Sequence, residues 1–332
     1  MSEQAFKKIF SVLMLLGLGF CSGWLANAWQ ENHFHPLDKR VQRSGFRYIS
    51  PLLDVELPEG YSVRNEPIPF KHKVKQFVDQ QTKTGKVREM SVYYRDMTDG
   101  PWFGINEKVK YNPASMMKVP VMVAWLKRAQ KDPSVLRLKL TFDKNSKSGP
   151  PQEIKPEQTL KLGVSYTVEE LLRFMMHFSD NKSTALLYYA LAQGEMDKVI
   201  ASMDAANETD GVNNSITVKG YSGFFRILYN ASYLNDEMSE KALQLMSYPS
   251  FPEGIVGGVP KGVIVASKFG VFNEDETPDD IQLHEFGIVY HPKGPYILGV
   301  LTRGNNWKAQ AEIIRSLSEL VYDSADKTMP KE

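Results

Sequence analysis

The order in which two kinds of apolar pattern follow one another constrains the fold of this chain most. Alternating apolar residues predict strands at 90–94, 102–105, 263–268, 286–291 and 296–302. Apolar residues three and four apart predict helices at 70–81, 115–131, 167–178, 182–191, 196–203, 219–229, 239–246 and 307–322. This order predicts an α+β fold, in which an antiparallel sheet with edge strands from both ends of the domain is flanked by terminal helices and joined to an all-helical subdomain.

The first 68 residues predict a membrane segment and a stalk. Lys7 and Lys8 precede an uncharged run, 9–29, which spans roughly 30 Å as a helix, the thickness of a bilayer's hydrocarbon core. We expect an anchor with residues 1–8 in the cytoplasm and the rest outside. The small residues of Ala26-Asn27-Ala28 keep a cleaved signal peptide open as an alternative. Residues 30–68 then predict a stalk or extended lead-in, 69–325 the folded domain and 326–332 a tail.

Composition and charge exclude several kinds of protein. With 42% hydrophobic and 24% charged residues, the chain is close to the globular average, so we expect most of it to fold. The formal net charge of +1 indicates no nucleic-acid partner. The single cysteine, Cys21, cannot form an intramolecular disulfide. Because the sequence has no metal-ligand spacing among its histidines and no phosphate-binding glycine motif, we expect neither a metal nor a cofactor.

Three short motifs carry the candidate chemistry. They are Ser115-Met116-Met117-Lys118, Ser179-Asp180-Asn181 and Lys268-Phe269-Gly270. Asn112-Pro113-Ala114 interrupts the chain before a long apolar helix, so we expect Ser115 at a helix N-terminus, where exposed N–H groups favour negative charge. The spacing of three places the Lys118 amine one turn from the Ser115 hydroxyl. Lys118 can act as the base if desolvation or a nearby cation lowers its pKa.

The other two motifs supply groups around this pair. Ser179 can relay a proton between Lys118 and a leaving nitrogen, and the Asn181 amide can orient a substrate. We expect Asp180 to bond backbone groups around an interhelical turn. Lys268 can add positive potential, and Gly270 can let a substrate backbone lie along the strand edge.

Each motif also has an ordinary structural interpretation. Ser115 can be a simple N-cap, residues 179–181 a turn between helices, and residues 268–270 a strand end. The chain also holds a second Ser-x-x-Lys, Ser179 to Lys182, and a Lys-Thr-Gly at 83–85. We interpret the latter as a turn between a helix and a strand.

In their order and spacing the motifs resemble those of the class A β-lactamase and penicillin-binding protein superfamily. The resemblance covers about 70–325, including the residues before Ser115 and the strand at 296–303. It implies that Ser115 is acylated, that Lys118 and Ser179 transfer protons, and that Asn181 and Lys268 bind substrate. It also implies an oxyanion hole formed by the backbone N–H groups of Ser115 and a residue near Val271.

The resemblance also implies a setting and a substrate class. We expect a monomeric protein of the bacterial cell envelope, tethered to the membrane or secreted after cleavage, that acts on a small molecule or a peptidoglycan peptide. Three activities stay open: a β-lactamase-like hydrolase, a D-alanyl-D-alanine carboxypeptidase or transpeptidase, and a non-catalytic penicillin-binding sensor.

Two departures from the family pattern bear on these alternatives. The Glu-x-x-Leu-Asn pattern that supplies a deacylation base is missing, and Glu208 is its nearest substitute, although a solvated loop position is expected for it. Phe269 replaces the hydroxyl residue that helps to bind a substrate carboxylate. His284 and Arg303 are candidate substitutes, although we expect both on the surface or at strand ends. Acylation groups are therefore complete, whereas deacylation groups are not.

Overall fold

The computed structural model describes residues 46–50, 68–98, 100–202, 215–273 and 280–328. The predicted tail 1–8 and membrane segment 9–29 lie outside these ranges, as does Glu208. Within the ranges, no helix combines the length and the apolar character needed to span a bilayer. The chain divides into the units Met1–Val41 and Gln42–Glu332, and all described residues belong to the second.

Seven strands occur in the described residues. They are β1 (Glu89–Asp96), β2 (Trp102–Ile105), β3 (Lys139–Phe142), β4 (Val164–Thr167), β5 (Val265–Phe272), β6 (Ile281–Val289) and β7 (Tyr296–Gly304). Five of them form an antiparallel sheet in the order β2-β1-β7-β6-β5, and β3 pairs with β4 in a separate ribbon. One edge strand of the sheet precedes the helical region and the other follows it. The predicted antiparallel α+β arrangement is therefore confirmed.

The helices lie where the apolar periodicity predicts them. They are α1 (Lys71–Lys83), α2 (Lys118–Lys131), α3 (Val168–His177), α4 (Asn181–Tyr189), α5 (Glu195–Ala201), α6 (Val218–Tyr229), α7 (Asp236–Met246) and α8 (Trp307–Thr328). Helices α1 and α8 pack on one face of the sheet around a core that includes Leu298 and Leu317. The helical subdomain packs on the other face, where its core includes Trp125 and reaches Phe286 of the sheet.

Helix α2 is the central helix of this subdomain. Ten of its 14 residues are buried, as expected for a helix that is apolar around its whole circumference. Helix α3 begins with a capping box, in which Thr167 and Glu170 satisfy each other's backbone N–H groups. These two helices carry the predicted motifs into the interior.

Described residues on either side of the predicted domain 69–325 also pack on it. Helix α8 continues to Thr328, beyond the predicted boundary of the tail 326–332, because Ala325 is fully buried against the core. At the other end, residues 46–50 of the predicted stalk pack on the domain. The Glu240 carboxylate accepts the backbone N–H groups of Arg47, Tyr48 and Ile49 at 2.7, 2.8 and 3.2 Å.

Candidate active site

Ser115 lies one turn before the α-helix in which it was predicted. Residues Ala114–Met117 form a 3₁₀ helix, and α2 begins at Lys118. Pro120 suits the first turn of α2, because N–H groups there have no intrahelical partner. The prediction of one continuous helix over 115–131 is therefore wrong in its first turn. Ser115 still adjoins the N-terminal end of α2, where the helix dipole favours negative charge.

The backbone turns sharply at Ala114, directly before Ser115. Ala114 has a φ of 49°, a left-handed conformation that costs a residue with a Cβ roughly 1–3 kcal/mol. Asn112 supports this turn, because its Oδ1 accepts the Ala114 N–H at 2.9 Å. The contacts around Asn112 thus hold strained backbone beside the candidate nucleophile.

The Lys118 amine joins the first two motifs. Its Nζ lies 3.0 Å from Ser115 Oγ and 2.9 Å from Ser179 Oγ. It also lies 2.8 Å from Asn181 Oδ1 and 2.5 Å from the Ser179 carbonyl oxygen. All four are hydrogen-bond distances, so one amine connects the two hydroxyl groups.

The surroundings of Lys118 favour its neutral form. The residue is only 2% exposed, and burial lowers the pKa of its amine well below the ordinary value. The positive charge of Lys268 lowers this pKa further, whereas Asp180 opposes the shift. Desolvation and a nearby cation, the two influences by which Lys118 could become a base, therefore both act on its amine.

Ser179-Asp180-Asn181 forms the turn between α3 and α4, as predicted. Ser179 has a φ of 53°, so a second strained residue lies at the site. Asp180 caps α4: its carboxylate accepts the Ser183 N–H at 2.7 Å and the Thr159 hydroxyl at 2.6 Å. The expected role of Asp180 in bonding the turn is confirmed.

A loop that the sequence patterns did not single out holds this turn. Gln152 donates to the Ser179 carbonyl at 2.9 Å and accepts the Asn181 N–H at 3.2 Å. The Asn181 side-chain amide donates to the Pro150 carbonyl at 2.8 Å. Because residues 143–163 have no periodic apolar pattern, only the distance in space reveals that Gln152 supports the site.

Lys268 enters the site from the middle of β5, so its interpretation as a strand end is wrong. It is fully buried, and its Nζ donates to Ser179 Oγ at 3.1 Å and to the Phe269 carbonyl at 2.9 Å. Burial lowers the pKa of Lys268 to about 7, against the opposing effect of Glu285. The third motif thus meets the other two at the Ser179 hydroxyl.

Glu285 is a buried acid that the sequence did not indicate. It lies opposite Phe269 on β6, and its carboxylate accepts the Ile255 N–H at 2.6 Å and the Ser267 hydroxyl at 3.0 Å. Burial raises its pKa to about 7, although these two hydrogen bonds and Lys268 oppose the shift. Its negative charge favours the protonated form of Lys268.

Phe269 packs as an aromatic residue beside Lys268. Its ring stacks on that of Phe251 with centroids 4.6 Å apart. The Lys268 Nζ lies 4.1 Å from the centroid of the Phe269 ring, a cation–π distance. Phe269 therefore shields the lysine and offers no hydroxyl to a substrate carboxylate.

Gly270 lets β5 approach the nucleophile. A Cβ at this position would lie 3.0 Å from both the Pro113 carbonyl oxygen and the Ser115 nitrogen. The sequence suggested that Gly270 makes room for a substrate backbone. In the structure, the backbone at Pro113 and Ser115 lies against Gly270 instead. Val271 follows on the same edge strand and is half-buried. Alternate N–H groups of an edge strand have no strand partner, so one near Val271 can face the Ser115 side.

The competing copies of the motifs lie in other surroundings. Lys182 Nζ donates to the Leu160 carbonyl at 3.4 Å. The Lys-Thr-Gly at 83–85 is exposed at the end of α1, where Gly85 has a φ of 72°. Its interpretation as a turn is confirmed.

His284 and Arg303 are both engaged within the protein. His284 is fully buried and bonded to the Asn112 carbonyl at 3.0 Å, so the expectation of a surface or strand-end position was wrong for it. Arg303 pairs with Glu89 at 2.7 Å and lies 5.3 Å from the Tyr111 ring centroid. Neither contact directs these residues toward a substrate carboxylate.

In the described part of the chain, no carboxylate is a hydrogen-bond partner of the Lys118 amine. The hydrogen-bond partners of Lys118 there are Ser115, Ser179 and Asn181. Glu195, which follows the Ser-Asp-Asn motif, instead bonds Arg128. Within the same ranges, no group of three His, Cys, Asp or Glu residues forms a metal site.

Comparisons with known proteins agree with this geometry. A family model described as "Beta-lactamase enzyme family" matches residues 69–325, well over half of the chain. Among curated proteins, none matches the chain.

Solved structures show the same fold. A β-lactamase from Sphaerobacter thermophilus is 20% identical with a TM-score of 0.66, covering 78% of this chain and 98% of that chain. One from Xanthomonas campestris is 16% identical with a TM-score of 0.65, covering 78% and 100%. PBP-A is 18% identical with a TM-score of 0.64, covering 77% and 97%.

Proposed function

Because the chain belongs to the beta-lactamase enzyme family, we propose that it is a serine hydrolase that forms an acyl-enzyme on Ser115. Its substrates are β-lactams or related amides of cell-wall peptides. The observation that carries the proposal is the position of one buried amine, Lys118 Nζ, at 3.0 Å from Ser115 Oγ and 2.9 Å from Ser179 Oγ.

The first step is attack of Ser115 Oγ on the amide carbon. Neutral Lys118 accepts the hydroxyl proton as the new C–O bond forms, and the carbonyl oxygen becomes an oxyanion. The backbone N–H of Ser115 and one near Val271 stabilise that charge. Ser179 then passes a proton to the leaving nitrogen, the C–N bond breaks, and Lys118 restores the proton to Ser179.

The remaining residues of the site orient the substrate. The Asn181 amide binds a carbonyl group of the substrate, and Lys268 supplies positive potential behind Ser179. Phe269 buries its ring against Phe251 and offers no hydroxyl group to a substrate. We therefore expect weak selection for a carboxylate next to the cleaved bond.

A D-alanyl-D-alanine carboxypeptidase or transpeptidase is the second candidate. It is favoured by the absence of a carboxylate among the hydrogen-bond partners of Lys118 in the described residues. An acyl-enzyme that lacks a carboxylate dedicated to activating the attacking water hydrolyses slowly. PBP-A offers a parallel, since a mutant of that protein is described as an acyl-enzyme complex with penicillin G.

Either activity fits a domain that faces the cell wall. We propose that segment 9–29 anchors the protein and that its folded domain lies outside the membrane, in the bacterial envelope. Fractionation of cells that express the whole chain tests this: recovery of the protein in the cytosol contradicts it.

Intact mass spectrometry after incubation with a penicillin tests the proposal. We expect a mass increase of one penicillin on the wild type and none on Ser115→Ala. The variant Lys118→Ala should acylate at least about 100-fold more slowly, whereas Lys182→Ala, which alters the Ser-x-x-Lys at 179–182, should match the wild type.

The time course of the adduct separates the candidate activities. Decay within seconds to minutes supports a β-lactamase-like hydrolase, and an adduct stable for hours supports a peptidase. Wild-type protein without an adduct refutes the proposal. Penicillin binding that persists in Ser115→Ala indicates a non-catalytic sensor instead.

A further inference from the structure

His284 is a fully buried histidine that the proposed chemistry does not use. It lies on β6 directly opposite Gly270. The Thr302 N–H donates to its Nδ1 at 3.3 Å, so Nδ1 carries no proton. Its Nε2 therefore bears the hydrogen and donates it to the Asn112 carbonyl at 3.0 Å.

Asn112 is held on both sides by β6. While His284 binds its carbonyl oxygen, Gln282 Oε1 accepts its N–H at 3.0 Å. The Asn112 side chain in turn accepts the Ala114 N–H at 2.9 Å. Three hydrogen bonds thus fix the residue from which the chain turns through strained Ala114 into Ser115.

The environment keeps the imidazole in its neutral form. Burial lowers the pKa of His284 to about 3, and Arg303 lowers it further, whereas the Asn112 and Leu283 backbone groups, which favour the protonated ring, oppose the shift. The ring also meets the Tyr111 ring edge-on with centroids 5.3 Å apart. The tautomer that donates to Asn112 and accepts from Thr302 therefore persists over the whole physiological pH range.

We propose that His284 is a positioning residue for the nucleophile, which sets the place of Ser115 Oγ through its hydrogen bond to the Asn112 carbonyl. The inference rests on the proposed role of Ser115. Since both ring nitrogens have partners inside the protein, His284 acts on the backbone and does not touch the substrate. Loss of the bond to Asn112 allows the turn at Ala114 to relax, and even small shifts of a reacting atom slow a reaction.

Two substitutions separate the two hydrogen bonds of the ring. In His284→Gln, the side-chain amide can replace the Nε2 donor toward Asn112 but loses the acceptor for Thr302. In His284→Asn, the amide oxygen can replace Nδ1 toward Thr302 but cannot reach Asn112. Each variant loses one hydrogen bond, so their thermal stabilities should fall by similar amounts.

The acylation rate with a fluorescent penicillin is the first measurement. We expect His284→Asn to acylate at least about tenfold more slowly than the wild type and His284→Gln within about threefold of it. His291→Asn and His291→Gln are matched controls, because His291 is a buried histidine seven positions further along the chain, beyond the end of β6. Both controls should acylate at the wild-type rate.

Amide hydrogen exchange over residues 112–117 is the second measurement and needs no reaction. Faster exchange in His284→Asn than in His284→Gln supports the positioning role. Equal exchange rates in the two variants overturn it. It is also overturned if both variants lose the same fraction of the acylation rate in proportion to their loss of thermal stability. If the wild type is not acylated at all, the role of Ser115 fails, and hydrogen exchange still decides whether His284 holds the turn.

Discussion

Replacing Gly270 by alanine tests whether the distance between β5 and Ser115 controls the reaction. The added Cβ would lie 3.0 Å from the Pro113 oxygen, 3.0 Å from the Ser115 nitrogen and 3.1 Å from the Met116 nitrogen. All three neighbours are backbone atoms, so no side chain can rotate away. Either the strand or the 3₁₀ helix must move.

The size of the effect follows from these distances. Carbon reaches its best contact distance at roughly 3.5 Å, so the two segments must separate by about 0.5 Å. A misplacement of about 1 Å can cost 100-fold in rate, so half of it predicts acylation about tenfold slower. Overpacking of this kind also lowers the free energy of unfolding by about 1–3 kcal/mol.

Acylation of Gly270→Ala by a fluorescent penicillin, measured beside thermal unfolding, checks both values. Ala266→Gly is the control, because it loosens β5 on the same face without adding an atom beside Ser115. It should lose stability and keep the wild-type rate. If Gly270→Ala acylates as fast as the wild type, the approach of β5 does not determine the position of the nucleophile.

Two further predictions concern Lys118 and the turn at Ser179. Lys268→Met removes the positive charge that lowers the Lys118 pKa, so that pKa should rise. The acid limb of the pH–rate profile for acylation should then move to higher pH. A limb that stays in place or moves to lower pH contradicts the effect of Lys268 on Lys118. Gln152→Ala removes the hydrogen bonds to Ser179 and Asn181. Acylation should therefore slow about tenfold, with little change in melting temperature. An unchanged rate would show that the turn at Ser179 keeps its conformation without Gln152.

Much of the fold could be predicted because its elements have strong local patterns. The β5, β6 and β7 region was recognised from apolar alternation, although each of these strands extends beyond its predicted range. The pair Ser115 and Lys118 could be found because a spacing of three fixes proximity within one turn, whether the turn is 3₁₀ or α-helical.

What could not be predicted depends on contacts between distant segments. The ribbon of β3 and β4 was missed because its strands are short and mostly exposed, so they lack a buried alternating face. Gln152 and Glu285 acquire their roles only once the loop reaches the turn at Ser179 and the register places Glu285 behind β5. No local pattern marks either residue.

The two lysines at Ser179 show how the site divides its roles. Their amines lie 2.9 and 3.1 Å from the same hydroxyl oxygen in a buried setting, where two adjacent positive charges repel strongly. When the two amines carry a single positive charge between them, Glu285 favours that charge on Lys268, whose pKa is lowered to about 7. The positive charge on Lys268 then contributes to lowering the pKa of Lys118. Environments that separate two pKa values in this way assign the base and the cation. In the proposed mechanism, Lys118 therefore acts as the base and Lys268 as the cation, and Glu285 would assist the reaction by holding the charge on Lys268 without contacting the substrate.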